Sequence, residues 1–246
     1  MEIENLRTKS GISGLDRLIG GGYPKGSFVV VSGGPGTGKT IVGCQFLYEG
    51  ASSGEKCLCI NVEQSEKDII SQALQFGWDF ETLKKSGKLD ILTLTTDSLS
   101  EVAVVDRIRT ILKDKKYQRI VIDSLTSFAY TPSSSLKTTI EAINYKMDAM
   151  TMNEIRRANI SALIDFIKST EITTIGLAHK IDGFGDTLDM ISEFKGDGLI
   201  VLSLTSVGSS EDRTIHIKKM RKTKLNAVPY NFEFSETGIV IKEEKD

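Results

Sequence analysis

Histidine is nearly absent from this chain. Only His179 and His216 occur in 246 residues, so a catalytic metal centre built on several imidazoles is excluded. Cysteine is almost as scarce. Cys44, Cys57 and Cys59 make an odd count without the spacing of a disulfide framework, which predicts a reducing, intracellular setting. Cys57 and Cys59 are two apart, hence on one side of a strand, and read as buried apolar residues rather than metal ligands. No stretch approaches the ~18 consecutive apolar residues of a membrane span, and the start, Met1 to Gly11, has no apolar signal-peptide core. A cytoplasmic protein with no membrane span is the expectation. An excess of either charge is also missing: 31 basic and 33 acidic residues leave −2. The chain as a whole therefore advertises no nucleic-acid or membrane surface, although a local patch is allowed. There is no linker rich in Pro, Gly or Ser, and no internal repeat.

At roughly 150 residues per domain the length corresponds to about 1.6 domains. Hydrophobic residues make up 39% and charged ones 26%, enough apolar material to bury a core. Phe28 to Val31 is a short apolar run of β-branched character stopped by glycines, which reads as a buried strand feeding a loop. Residues 39–52 place Ile41, Phe46 and Leu47 among small residues, with Gly54 as a stop, and read as a helix. The alternation continues with strands at 56–62, 89–94, 118–122 and 172–178. Helices are expected near 65–76 and 98–114, and a long one within 136–169. This pattern predicts an α/β fold, a mostly parallel sheet with helices on both faces. After about residue 197 the segments 198–204, 213–220, 229–234 and 238–242 leave no room for helices. They predict antiparallel C-terminal strands extending one sheet edge. One domain over 1–246, with a β-rich extension at about 198–242, is the expected organisation.

The strongest chemical signal is Gly33-Gly34-Pro35-Gly36-Thr37-Gly38-Lys39-Thr40, between a predicted strand and a predicted helix. Glycines let the backbone curl so that successive N–H groups point at phosphate oxygens, at the positive end of the following helix. Lys39 is placed to reach the β- and γ-phosphates of ATP and Thr40 to bind Mg²⁺. The apolar run Ile120-Val121-Ile122 ends in Asp123, which the phosphate loop makes the expected Mg²⁺ partner and which alone would read as a strand-end cap. Strand 56–62 ends at Val62-Glu63-Gln64, on the rim where parallel α/β folds gather ligands. Glu63 is the candidate base for hydrolysis, against a solvated loop glutamate, and Gln64 is a neutral group able to hold water. His179 ends the 172–178 strand on the same rim, as a γ-phosphate sensor or a structural histidine.

A second charged element is Lys218-Lys219-Met220-Arg221-Lys222-Thr223-Lys224. On a strand, Lys219 and Arg221 project to one face and can stabilise phosphate charge, where an inserted arginine is worth roughly 10³ to 10⁵ in rate. A solvated basic strand or a nucleic-acid patch is the competing reading. Ser133-Ser134-Ser135 reads as loop. Ile140, Ile143, Met147 and Met150 have the helical spacing of core or subunit contact.

Taken together these stretches resemble a KaiC-type domain of the RecA-like P-loop ATPase superfamily, over nearly the whole chain. The resemblance is carried by Thr8 to Asp16 with Gly20 to Gly26, the phosphate loop with Phe46 to Gly50, and Phe76-Gly77-Trp78-Asp79. It continues through Ile122-Asp123-Ser124, Asp197-Gly198-Leu199-Ile200 and Lys219-Met220-Arg221. It implies a strand order 3-2-4-5-1-6-7-8 and an oligomeric ring, usually a hexamer, with ATP between subunits. It also implies that Lys219 and Arg221 act in trans on a neighbour's γ-phosphate. Nucleotide contacts then fall on Gly33 to Thr40, Ile41, Gln64 and His179, with metal on Thr40 and Asp123. Glu63 matches the first of the family's paired water-activating glutamates, and Gln64 replaces the second. The clock protein of this family carries two such domains and phosphorylates a Ser-Thr pair where this chain has Glu193 and Phe194. An autophosphorylating clock is accordingly not implied. A short insertion near 133–154 and Leu225, where a histidine is common, are further departures.

Three functions follow. The first is an oligomeric, Mg-dependent ATPase with Glu63 as base and Lys219 and Arg221 in trans. The second is a nucleotide-gated scaffold that binds ATP and scarcely hydrolyses it, which Gln64 favours. The third, a DNA recombinase relative, needs a basic loop between 181 and 197. That segment instead holds Asp182, Asp186, Asp189, Glu193 and Asp197 against Lys195, and repels a phosphate backbone.

Overall fold

The computed structural model describes residues 6–94, 103–114, 116–129, 149–181, 183, 185–207, 210–226 and 228–242. The chain opens with β1 (Arg7–Thr8), α1 (Leu15–Leu18) and β2 (Tyr23–Pro24), β1 and β2 forming a small antiparallel pair. There follow β3 (Phe28–Gly33), α2 (Lys39–Ser52), β4 (Cys57–Asn61), α3 (Glu66–Leu74), α4 (Phe80–Lys85) and β5 (Leu89–Thr93). Next come α5 (Ala103–Asp114), β6 (Arg119–Asp123), α6 (Leu125–Ala129), α7 (Ala149–Ser169) and β7 (Thr173–His179). The chain ends with α8 (Ser192–Lys195), β8 (Gly198–Val207), β9 (Ser210–Met220), β10 (Pro229–Ser235) and β11 (Gly238–Ile241).

Nine strands form one sheet in the order β5-β4-β6-β7-β3-β8-β9-β10-β11. That is the order the family resemblance implies, with β11 added at the far edge. The five strands β3 to β7 are parallel; β3, β4, β6 and nearly all of β7 are buried on both faces, as continuous apolar runs require, while the edge strand β5 is only partly buried. Alternate residues serve alternate cores. Val29, Val31, Cys57, Cys59 and Val121 pack with α2, whereas Phe28, Val30, Leu58, Ile60, Ile120 and Ile122 face residues of α7 such as Ile160 and Ile164. Cys57 and Cys59 thus share a side and are buried, as their spacing predicts, and burial pushes the Cys57 thiol up to about 12.

One expectation for the C-terminal strands is corrected: β8 runs parallel to β3, and only β9, β10 and β11 are antiparallel. The reason is the segment before it. Residues 180–197 carry the chain from the end of β7 back past the sheet, because Asp197 pairs with the start of β3 through its N–H to Phe28 O (2.7 Å). The later strands follow through short turns that reverse direction. Helix α4 was not visible in the apolar pattern; Asp79 caps it by accepting from Thr82 N (2.9 Å). Ser133 to Ser135, Ile140, Ile143 and Met147 lie outside the described residues, and the long helix is described from Ala149.

Candidate nucleotide site

The carboxyl ends of β3, β4, β6 and β7 lie side by side and form an upper rim, with Gly33 opposite His179 and Asn61 opposite Asp123 in the strand register. From Gly33 the chain turns through Gly36 (φ 72°) and Gly38 (φ 97°), left-handed conformations that favour glycine, and enters α2 at Lys39. Space divides these glycines. A Cβ on Gly33 would lie 2.5 Å from Thr37 Oγ1 and one on Gly38 2.8 Å from the Phe234 ring, whereas on Gly34 or Gly36 it would meet nothing. The loop is therefore braced beneath and open outward. Thr37 Oγ1 and Lys39 Nζ both donate to Gly34 O, at 2.8 and 2.9 Å. Gly38 gives α2 no side-chain cap, so the first N–H groups of a 14-residue helix are left for an anion. Burial lowers the affinity of Lys39 for its proton, and the charges of Asp123 and Glu63 oppose that shift.

Thr40 Oγ1 donates to Asp123 Oδ2 at 2.8 Å. This joins the end of the phosphate loop to the end of β6, as the sequence predicts. Asp123 is buried, and burial pushes its carboxyl up to about 6, with the Thr40 bond opposing and the Glu63 charge adding. A hydroxyl and a buried carboxylate with unmet charge are hard oxygen donors that fit a magnesium ion beside phosphates.

Glu63 follows β4 in a turn tied by Asn61, whose Oδ1 accepts from Glu63 N (3.3 Å) and Gln64 N (3.4 Å) and whose Nδ2 donates to Gln64 O. His179 Nε2 lies 2.8 Å from Glu63 Oε1, Ser127 Oγ donates to the same oxygen at 3.3 Å, and Ser124 Oγ donates to it as well. The His179 contact foremost, with the two serines, brings the Glu63 carboxyl down to about 2 against the effect of burial. Asn61, Ser124 and Ser127 were not assigned roles from the sequence, although Ser124 stands beside Asp123 and Asn61 ends a strand on the rim. Gln64 enters this turn through its backbone, and Ile41 packs against the apolar core under α2.

Lys219 and Arg221 are not on this rim. They lie at the lower pole, where Gly198 of β8 pairs with Met220, a sheet's depth of roughly 16 Å from the phosphate loop. The register shift opposite Leu199/Ile200 falls between Ile217 and Lys219, and β9 ends at Met220, between the two cations. Lys219 Nζ donates to the carbonyls of Gly196 (2.7 Å), Phe194 (3.1 Å) and Glu193 (3.3 Å), and Arg221 Nη1 donates to Asp197 Oδ1 at 3.0 Å. Asp197 also accepts from Lys168 Nζ (2.7 Å) and Phe28 N (3.0 Å). The acidic segment and the basic strand read from the sequence are thus partners, since Lys218 Nζ donates to both oxygens of Asp186 at 2.7 and 2.8 Å. No helix among the described residues is long and apolar enough to cross a membrane.

Known proteins resemble this chain in sequence and in fold. The family described as KaiC ATPase matches residues 8–156 and 138–246. A solved structure of a KaiC-like protein from the hyperthermophilic archaeon Pyrococcus horikoshii superposes with a TM-score of 0.78 at 32% identity, covering 96% of this chain and 99% of that one. The circadian clock oscillator protein KaiC of Acaryochloris marina is 31% identical over 98% of this chain and 44% of its own length. A UPF0273 protein of Saccharolobus solfataricus is 28% identical over 97% of this chain and 84% of its own. The chain therefore spans less than half of the clock-protein relatives it matches, and most of the smaller one. With its phosphate loop, its RecA-like strand order and these matches, the chain belongs to the KaiC ATPase family.

Proposed function

We propose that the chain, as a single domain over 1–246, binds ATP with Mg²⁺ and hydrolyses it slowly within a ring of like subunits, with hexamer the favoured number. The observation that carries this reading is the Thr40–Asp123 contact at the mouth of an outward-open phosphate loop, with Glu63 in the turn that follows the neighbouring strand β4. The loop N–H groups and the start of α2 bind phosphate oxygens, and Lys39 exchanges Gly34 O for the β- and γ-phosphates. Thr40 and Asp123 hold the magnesium ion, which when bound supplies positive charge to the phosphate oxygens. Glu63 orients the attacking water and accepts its proton. Gln64 lends a neutral hydrogen-bonding group, and His179 links Glu63 to the phosphate end of the site. Lys219 and Arg221, which lie too deep to reach their own phosphate loop, act on that of a neighbour.

A second reading, a nucleotide-gated scaffold with scant turnover, is favoured by one feature. Glu63 Oε1 is occupied by His179, Ser124 and Ser127, and a carboxyl near 2 is a weak base. Phosphate release measured beside light scattering, with and without ATP-Mg²⁺, separates the two. The ATPase reading expects turnover that falls roughly 10²- to 10⁴-fold in Glu63→Gln. Assembly on ATP with no turnover in the parent chain establishes the scaffold. Parent-like turnover in Glu63→Gln removes Glu63 from the mechanism.

A further inference from the structure

Asn61 is the last residue of β4 and is buried, 1% exposed. Its backbone is fixed from both sides. It stands opposite Asp123 of β6 and Thr93 of β5 in the strand register, and its carbonyl accepts from Leu94 N at 2.8 Å. The side chain reaches forward along the chain instead of across the sheet. Among the described residues, all its hydrogen bonds go to the turn that follows: Oδ1 accepts from Glu63 N (3.3 Å) and Gln64 N (3.4 Å), and Nδ2 donates to Gln64 O. A side chain that takes these N–H groups shapes a turn as a backbone carbonyl would. That turn is short and closed at each end. Val62 N donates to Asp123 O at 2.7 Å, and Ser65 caps α3 by accepting from Asp68 N at 3.2 Å. Only Glu63 and Gln64 remain between these anchors, and the Asn61 amide holds both.

We infer that Asn61 is a positioning residue, one that fixes the Val62 to Gln64 turn and thereby aims the Glu63 carboxylate at the phosphate end of the site. Its part in hydrolysis rests on the ATPase reading above. Glu63 is thus held twice. Asn61 clamps its main chain from below, and His179, Ser124 and Ser127 meet a single oxygen of its side chain, Oε1, which they can reach only where the turn delivers it. Placement of this kind matters because a displacement of about 1 Å is worth roughly 10²-fold in rate. The amide bonds neither to the phosphate loop nor to Lys39, so phosphate binding does not depend on it. Asn61 does share the lining of a small cavity with Thr40 and Asp123, and an effect through those two residues is the competing account.

The test is a double-mutant cycle on phosphate release by the full chain. Asn61→Ala is expected to lower kcat by about tenfold or more while KM for ATP stays within about twofold, and to add nothing in a chain that already carries Glu63→Gln. Asn61→Ser keeps one acceptor for the turn and is expected to recover part of the loss. It carries the cycle if Asn61→Ala does not fold. Parent-like kcat in the folded variants overturns the inference. So does a loss of equal size in the Glu63→Gln background, which would place the effect on Thr40 and Asp123. A parent chain without turnover, or Glu63→Gln that turns over like the parent, fails the ATPase reading itself, and amide exchange then decides the turn. Exchange at Glu63 and Gln64 that quickens by about tenfold in the folded variant, with β4 unchanged, upholds the clamp. Parent-like protection of both amides overturns it.

Discussion

At the upper rim Asp123 is buried with Thr40 as its recorded hydrogen-bond donor, whereas at the lower pole Asp197 is gripped by Lys168, Arg221 and the Phe28 N–H. Burial drives the first carboxyl up to about 6. The second feels burial too, but the Lys168 bond and its companions hold it below the usual carboxylate range. One pole is short of positive charge and the other carries a surplus of it. One chain keeps the two apart across the depth of its sheet, and contact between copies, as in the ring proposed above, is what would bring them together.

The sharpest way to break that comparison is to disable one pole at a time. Arg221→Ala is expected to lower kcat by about 10³ or more while the chain's affinity for ATP changes little. Lys39→Ala is expected to abolish nucleotide binding. Mixing the two dead chains should restore phosphate release, because mixed assemblies pair an intact rim with an intact lower pole. A mixture as inactive as its parts would place the arginine outside a neighbour's site.

A smaller effect sharpens the account of the rim. Gly38→Ala forces a Cβ against the Phe234 ring at a φ of 97° and is expected to cost about 1–3 kcal/mol, read by thermal melting. Gly34→Ala meets no neighbour and should leave stability within about 0.5 kcal/mol, with its cost confined to nucleotide affinity. Equal melting of the two variants would refute the braced-beneath, open-outward loop.

The smallest effect concerns pH. The Glu63 carboxyl is lowered in the fold, so it contributes stability that is present above its ordinary value of 4.5 and is lost as pH falls toward 2. His179→Ala removes the main cause. The acid side of the melting curve should then flatten between pH 4.5 and about 2, with little change at pH 7. An unchanged acid profile would show that His179 does not tune this carboxyl.

Much of the rim was legible in the sequence, because its strands β3, β4 and β6 are buried on both faces and appear as apolar runs. The polar residues of the rim, Glu63, Asp123 and His179, then stand out against them. Asn61, Ser124 and Ser127 did not, since short polar residues gain meaning only when the strand register sets Asn61 beside Asp123 and brings Ser127 to Glu63. The parallel course of β8 was hidden for a similar reason: apolar alternation records burial and not direction. The pairing of Lys218 with Asp186 and of Arg221 with Asp197 joins residues 32 and 24 positions apart. Two opposite charge runs in a sequence do not announce that they neutralise each other.

The contact between Phe234 and Gly38 links the phosphate loop to the hairpin of β10 and β11, and Gln45 strengthens it by accepting from Ile239 N (2.9 Å) and donating to Gly11 O (2.8 Å). The loop is synthesised nearly 200 residues before the ring that braces it, so a growing chain carries the whole nucleotide motif before the β10–β11 hairpin can dock against it.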